Sequence, residues 1–169
     1  MKISIEGRLF QGLFDLMRLR AGPQDMPAGW ELTVLLSLIY LSEGFFADQI
    51  LNETGSAPRG LLAVTIQFLI TFIMLRFRGL SARLPQTLTA LAGTGSLFGA
   101  FSIFLATQAR PGIAQPELAL VWFGTFFWSL AVDANIYRHA ISLNMSLGVL
   151  VAVLIFALNF MVIQTMFIT

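Results

Sequence analysis

Two carboxylic acids, Glu43 and Asp133, stand inside stretches of sequence that are otherwise almost free of charge. An ionised acid facing lipid costs about 2.5–3.5 kcal/mol on insertion scales, so such a residue faces protein or water and is a candidate proton or cation site. Glu43 lies roughly 20 Å along its apolar stretch by helix rise, in the outer half of a membrane. It reads either as a proton or cation site or as a neutral, hydrogen-bonded packing residue near the outer interface. Asp133 lies near the cytoplasmic end of a different stretch, followed by Asn135, Tyr137, Arg138 and His139. Tyr137 is its neighbour one helical turn along. This group reads either as a functional cluster or as an interfacial charge cluster that fixes a tight turn. Helix rise separates the two acids by roughly 15–20 Å along the membrane normal. Concerted acid–base chemistry needs carboxylates within about 5–10 Å, so the spacing opposes a two-acid enzyme. A relay between them requires water or polar side chains, for which Thr65, Gln67, Thr71 and Ser96 are available.

Other chemistries are excluded by residue type. Cysteine is absent, which removes disulfides, thiolate metal sites, iron–sulfur clusters and cysteine nucleophiles. His139 is the sole histidine, which removes a multi-histidine metal site within one chain. Gly93-Thr94-Gly95 lacks the third glycine and the strand context of a dinucleotide fingerprint, and there is no GK[ST] phosphate loop. No nucleophile and base can be paired. The expectation is therefore a non-enzymatic protein with no cofactor and no bound metal. With 10 basic and 9 acidic residues no global field attracts nucleic acid.

The stretch around Gly93 is rich in small residues. Gly95 and Gly99 form a GxxxG, and Ala92, Ser96 and Ala100 add a second stripe at the same spacing. Small residues let helix backbones approach closely. This face reads as internal packing, as a homodimer or partner contact, or as the wall of a ligand groove. Phe123, Phe126 and Phe127 surround Trp122 and Trp128, as lipid-facing or core aromatics.

The elements that must position these residues follow from composition. Of 169 residues, 57% are hydrophobic and only 11% are charged, against about 25% charged in a soluble domain. The mean hydropathy is +0.81. Nineteen charges cannot clothe a soluble globule of this size, so the chain reads as one integral membrane domain. The fold class expected is all-α: a polytopic bundle of five transmembrane helices preceded by an amphipathic interfacial helix. Residues 1–28 form the cytoplasmic interfacial segment, and residues 29–169 the membrane domain. The five spans are placed at about 29–50, 59–77, 85–108, 117–137 and 140–167. The second is short, with 16 uncharged residues from Gly60 to Leu75, and the heads of Arg76 and Arg78 lengthen it by snorkelling. Asn52 to Arg59 and Ala109 to Pro116 are turn-rich loops, and Arg138-His139 marks a tight turn between the last two spans. Between Ile5 and Leu19 apolar residues recur at three and four, with charges between them, in a helix too charged to span. Pro23 and Pro27 bend the chain after it. Trp30, Arg76, Arg78, Arg138 and His139 are candidate interfacial anchors.

Five spans put the termini on opposite sides. With the N-terminus inside, Lys2, Arg8, Arg18, Arg20, Arg76, Arg78, Arg83 and Arg138 are cytoplasmic and only Arg59 and Arg110 are outside. That asymmetry predicts the N-terminus in and the C-terminus out.

The layout resembles the Yip1-like membrane proteins, especially the short bacterial members. The resemblance rests on the amphipathic N-terminal segment, the entry Gly22-Pro23-Gln24-Asp25-Met26-Pro27, the five spans, and Tyr137-Arg138-His139-Ala140 before a long final span. It implies a five-helix fold in a bacterial cytoplasmic membrane and an adaptor or membrane-organising role, and supplies no catalytic residue. The expected function is a non-enzymatic membrane protein that acts through helix–helix contacts, with lipid and either a protein partner or further copies of itself as its associates. The alternative is a small oligomeric transporter or proton-coupled channel using Glu43 and Asp133.

Overall fold

The computed structural model of the chain describes residues 5–51, 54–110 and 112–167. Lys2 and Asn52, named above, lie outside the described residues, as do Glu53, Pro111 and the side chains of Ile5 and Glu6. Six α-helices follow in order: α1 (Ile5–Met17), α2 (Trp30–Leu51), α3 (Ser56–Phe77), α4 (Leu84–Gln108), α5 (Pro116–Ala140) and α6 (Met145–Phe167). There is no strand among the described residues. The last five helices are each long and apolar enough to cross a membrane, which makes this a multi-pass membrane protein.

Two boundaries differ from the sequence reading, each for a local reason. α3 starts at Ser56, ahead of the expected 59. The Asp48 carboxylate, on α2, accepts the Ser56 and Ala57 backbone N–H groups at 2.8 and 3.2 Å. It thereby caps the next helix where the free donors and the helix dipole favour an anion. The extra turn supplies the length that the second span lacked. The turn between the last two spans is not at Arg138-His139 but after Ala140. Arg138 Nε donates to Asn135 Oδ1 at 3.0 Å, and His139 Nδ1 pairs with the Asn135 carbonyl at 2.8 Å. Both side chains therefore belong to the last turn of α5, where the Arg138 cation suits the dipole. Arg83 then closes that end, donating from Nη1 to the His139 and Ala140 carbonyls and to Ser142 Oγ.

α4 is the hub of the bundle, packed between α2 and α5 and touching α1 and α3. Half of its most apolar window is buried, against 6% for α2. Across the α2–α4 contact Thr33 Oγ1 and Thr89 Oγ1 share a hydrogen bond of 2.8 Å, and Thr33 also donates to the Pro85 carbonyl at 3.0 Å. α6 closes the bundle against α5 and α3.

The amphipathic helix docks on the bundle. Leu13 and Leu16 of α1 are buried with residues of α4 and α5, while Phe10 and Phe14 stay exposed. Trp128 Nε1 donates to the Met17 carbonyl, Asn135 Nδ2 to that of Ala21 and Gln86 Nε2 to that of Met26. The sharp bend is a short 3-10 turn at Pro23–Asp25, closed by the Gly22 N–H on Asp25 Oδ2 at 2.8 Å. Of the expected anchors, Trp30, Arg76 and Arg78 are exposed at helix ends, and Arg138 and His139 are half-buried.

Candidate functional site

Tyr40 and Glu43 are three residues apart on α2, which puts both on the face that meets α4. Opposite them stand Gly95, Ser96 and Gly99. A Cβ at Gly95 would lie 2.7 Å from Tyr40 Cζ, and one at Gly99 would collide with Glu43 Oε2. The GxxxG is thus a seat for two polar side chains of α2. Ser96 Oγ is buried in the same seat and interacts with the Glu43 carboxylate without closing a full hydrogen bond. Ala92 is buried further along the helix, whereas Ala100 is exposed and lies off the packed face. Gly93 is filled separately, by Leu13 of α1 and Leu36 of α2.

Asp133 reaches the same cluster from α5. Asp133 and Glu43 both lie within electrostatic range of the Tyr40 hydroxyl, and Asp133 also within range of the Tyr137 hydroxyl. Tyr137 is buried and accepts a long hydrogen bond of 3.4 Å from Gln67 Nε2 on α3. Thr71 stands against the same phenol and donates to the Gln67 carbonyl at 2.7 Å. Tyr40 lines one cavity with Glu43 and another with Asp133, so polar side chains of α2, α3, α4 and α5 border one connected region.

Two cavities meet at Tyr40 and Ala63. One, of about 260 Å³, is lined by Glu43, Gly44, Gly99 and Ser102 among others. The second, of about 370 Å³, is lined by Gln67, Ser129, Asp133 and Asn159, with Phe126, Phe156 and Phe160 as apolar walls. Asn159 Oδ1 is buried without a hydrogen-bond partner. Among the described residues no cation is paired with either acid: the groups acting on Glu43 and Asp133 are the surrounding apolar bulk and, for Glu43, Ser96. Arg138, the nearest cation in sequence to Asp133, is engaged by Asn135. Among the described residues no group of three or more histidines or acids is placed to hold a metal ion.

Sequence reasoning found both acids, Tyr137 and Gln67, but passed over Tyr40 and Asn159. The signal for Tyr40 was its helical spacing to Glu43; Asn159 carried no signal beyond being an amide in an apolar run. No family model matches the chain, and no curated protein and no solved structure matches it.

Proposed function

We propose that this membrane protein is a small proton-coupled transporter or channel whose working groups are Glu43 and Asp133. The observation that carries the reading is that each acid lines a cavity that Tyr40 also lines, and that among the described residues neither acid is paired with a cation. A buried carboxylate without a partner is held at a large desolvation cost, whereas a carboxylic acid that exchanges its proton avoids it. A phenol both donates and accepts a hydrogen bond, so Tyr40 is suited to pass a proton between the acids. Gln67 and Tyr137 extend the polar path from Asp133 toward the end of α5 that Arg83 closes. On this reading the protein sits in a bacterial cytoplasmic membrane with its N-terminus inside, Glu43 toward the outside and Asp133 toward the cytoplasm.

The test is proton flux into liposomes under an imposed potential. Wild type is expected to conduct, and Glu43→Gln and Asp133→Asn each to lower the flux by about tenfold or more while still inserting. Flux absent in wild type, or unchanged in both variants, overturns the proposal.

A second reading, the adaptor or membrane-organising role that the Yip1-like layout implies, is favoured by α1. That helix is tied to the bundle on one face and leaves Phe10 and Phe14 free on the other. It would act through α1 and a protein partner, because the Gly95/Gly99 face is filled by α2. A stoichiometric heterologous chain that co-purifies in mild detergent and is lost with Phe10→Ser/Phe14→Ser supports it; a partner-free protein counts against it.

A further inference from the structure

The cavity lined by α3, α5 and α6, with Tyr40 of α2 also in its wall, holds Asp133 and Asn159. Among the described residues no cation is paired with Asp133 and no donor reaches the buried Asn159 Oδ1. Gln67 Nε2 is directed to Tyr137 and Ser129 Oγ to the Phe126 carbonyl at 2.8 Å, so neither is aimed at Asn159 Oδ1. A buried acceptor left without a donor is costly, and most native ones are satisfied. A single water takes up about 30 Å³, far less than the 370 Å³ available. The walls point to what else fills the space. Phe126 and Phe156 meet edge to face with centroids 4.9 Å apart, and Phe160 stacks on Phe156 at 6.3 Å. Aromatic faces beside a carboxylate attract a cation that is already poorly hydrated. They offer little to a small inorganic ion, which needs several oxygen ligands. Phe156 and Phe160 are also exposed, at 42% and 55%, so the lip of the cavity faces lipid and admits a ligand that partitions into the bilayer.

We infer that this cavity binds a small organic ammonium ion with an apolar body, its charged N–H donors taken by Asp133 and its remaining donor capacity directed toward Asn159. The site rests on the proposed function only in that Asp133 must release its proton to receive the ammonium.

The probe is radiolabelled phenethylammonium, measured for saturable binding to the full chain in detergent, with 2-phenylethanol as the uncharged competitor of the same body. Saturable binding is expected, with little competition by the alcohol. Asp133→Asn and Asn159→Leu are each expected to weaken binding by about tenfold or more, with folding of each variant checked by monodispersity. Asn159→Leu keeps the test decisive if Asp133→Asn fails to fold. Absence of saturable binding, equal competition by the alcohol, or unchanged affinity in folded variants overturns the inference. Absent binding with intact proton flux removes this site and leaves the proton reading standing. Binding without proton flux does the reverse.

Discussion

Gly99 carries no side chain where the Glu43 carboxylate lies, and Gly95 leaves room for the Tyr40 ring. At the scale of single residues, the position of the intramembrane acid is therefore set by an absence on the facing helix. Gly99→Ala is expected to push Glu43 out of its seat at a cost of about 1–3 kcal/mol, the usual range for overpacking a filled site. Thermal unfolding in detergent measures it, and proton flux should fall with it. The double variant Gly99→Ala/Glu43→Ala should recover part of the lost stability, because the collision is then gone. Strict additivity of the two single effects would show that the two positions do not meet.

At the scale of elements, the same kind of contact fixes how α6 lies on α5. A Cβ at Gly148 would stand 2.5 Å from the Ala134 carbonyl oxygen, which is backbone and cannot swing aside. Gly124, also within α5, has nothing within 4 Å of an added Cβ. Gly148→Ala is expected to lower the unfolding midpoint clearly, and Gly124→Ala to leave it unchanged or raise it slightly through better helix propensity. Equal effects would mean that α6 does not cross α5 at Gly148. A separate element-scale device ends three helices. Leu19, Gly79 and Ser142 adopt left-handed conformations with φ of 58, 68 and 55°. Each is followed by a backbone bond from the next N–H back to the carbonyl five residues earlier. Only the one at Gly79 is legible from residue type. Leu19 and Ser142 are held there by what surrounds them: α1 is docked by Trp128, and Ser142 accepts from Arg83.

At the scale of the whole molecule, the eight-to-two split of basic residues is the basis for expecting the N-terminus inside. The absence of native cysteine makes the check direct, since a single introduced thiol is the only one present. Thr54→Cys, between α2 and α3, is expected to react with an impermeant thiol reagent applied from outside intact cells. Ser81→Cys, between α3 and α4, should react only after the cells are opened. The reverse pattern would turn the molecule over, and with it the assignment of Glu43 to the outer half.

The five helices were readable because lipid imposes one rule on every span: backbone groups must bond internally, and charges are excluded from long runs. The order of apolar and charged residues therefore determined the number of spans, the amphipathic α1 and the rarity of Glu43 and Asp133. Their relation was beyond it, because helix rise gives depth along the membrane but says nothing about rotation of one helix against another. That rotation is decided by where Gly95, Gly99 and Gly148 let neighbours approach. It sets Tyr40 in the walls of the two cavities that the acids line, and Asn159 in the one that Asp133 lines. It also fills the small-residue face from within the chain, so that a motif legible as a contact for another helix became the seat of an acid.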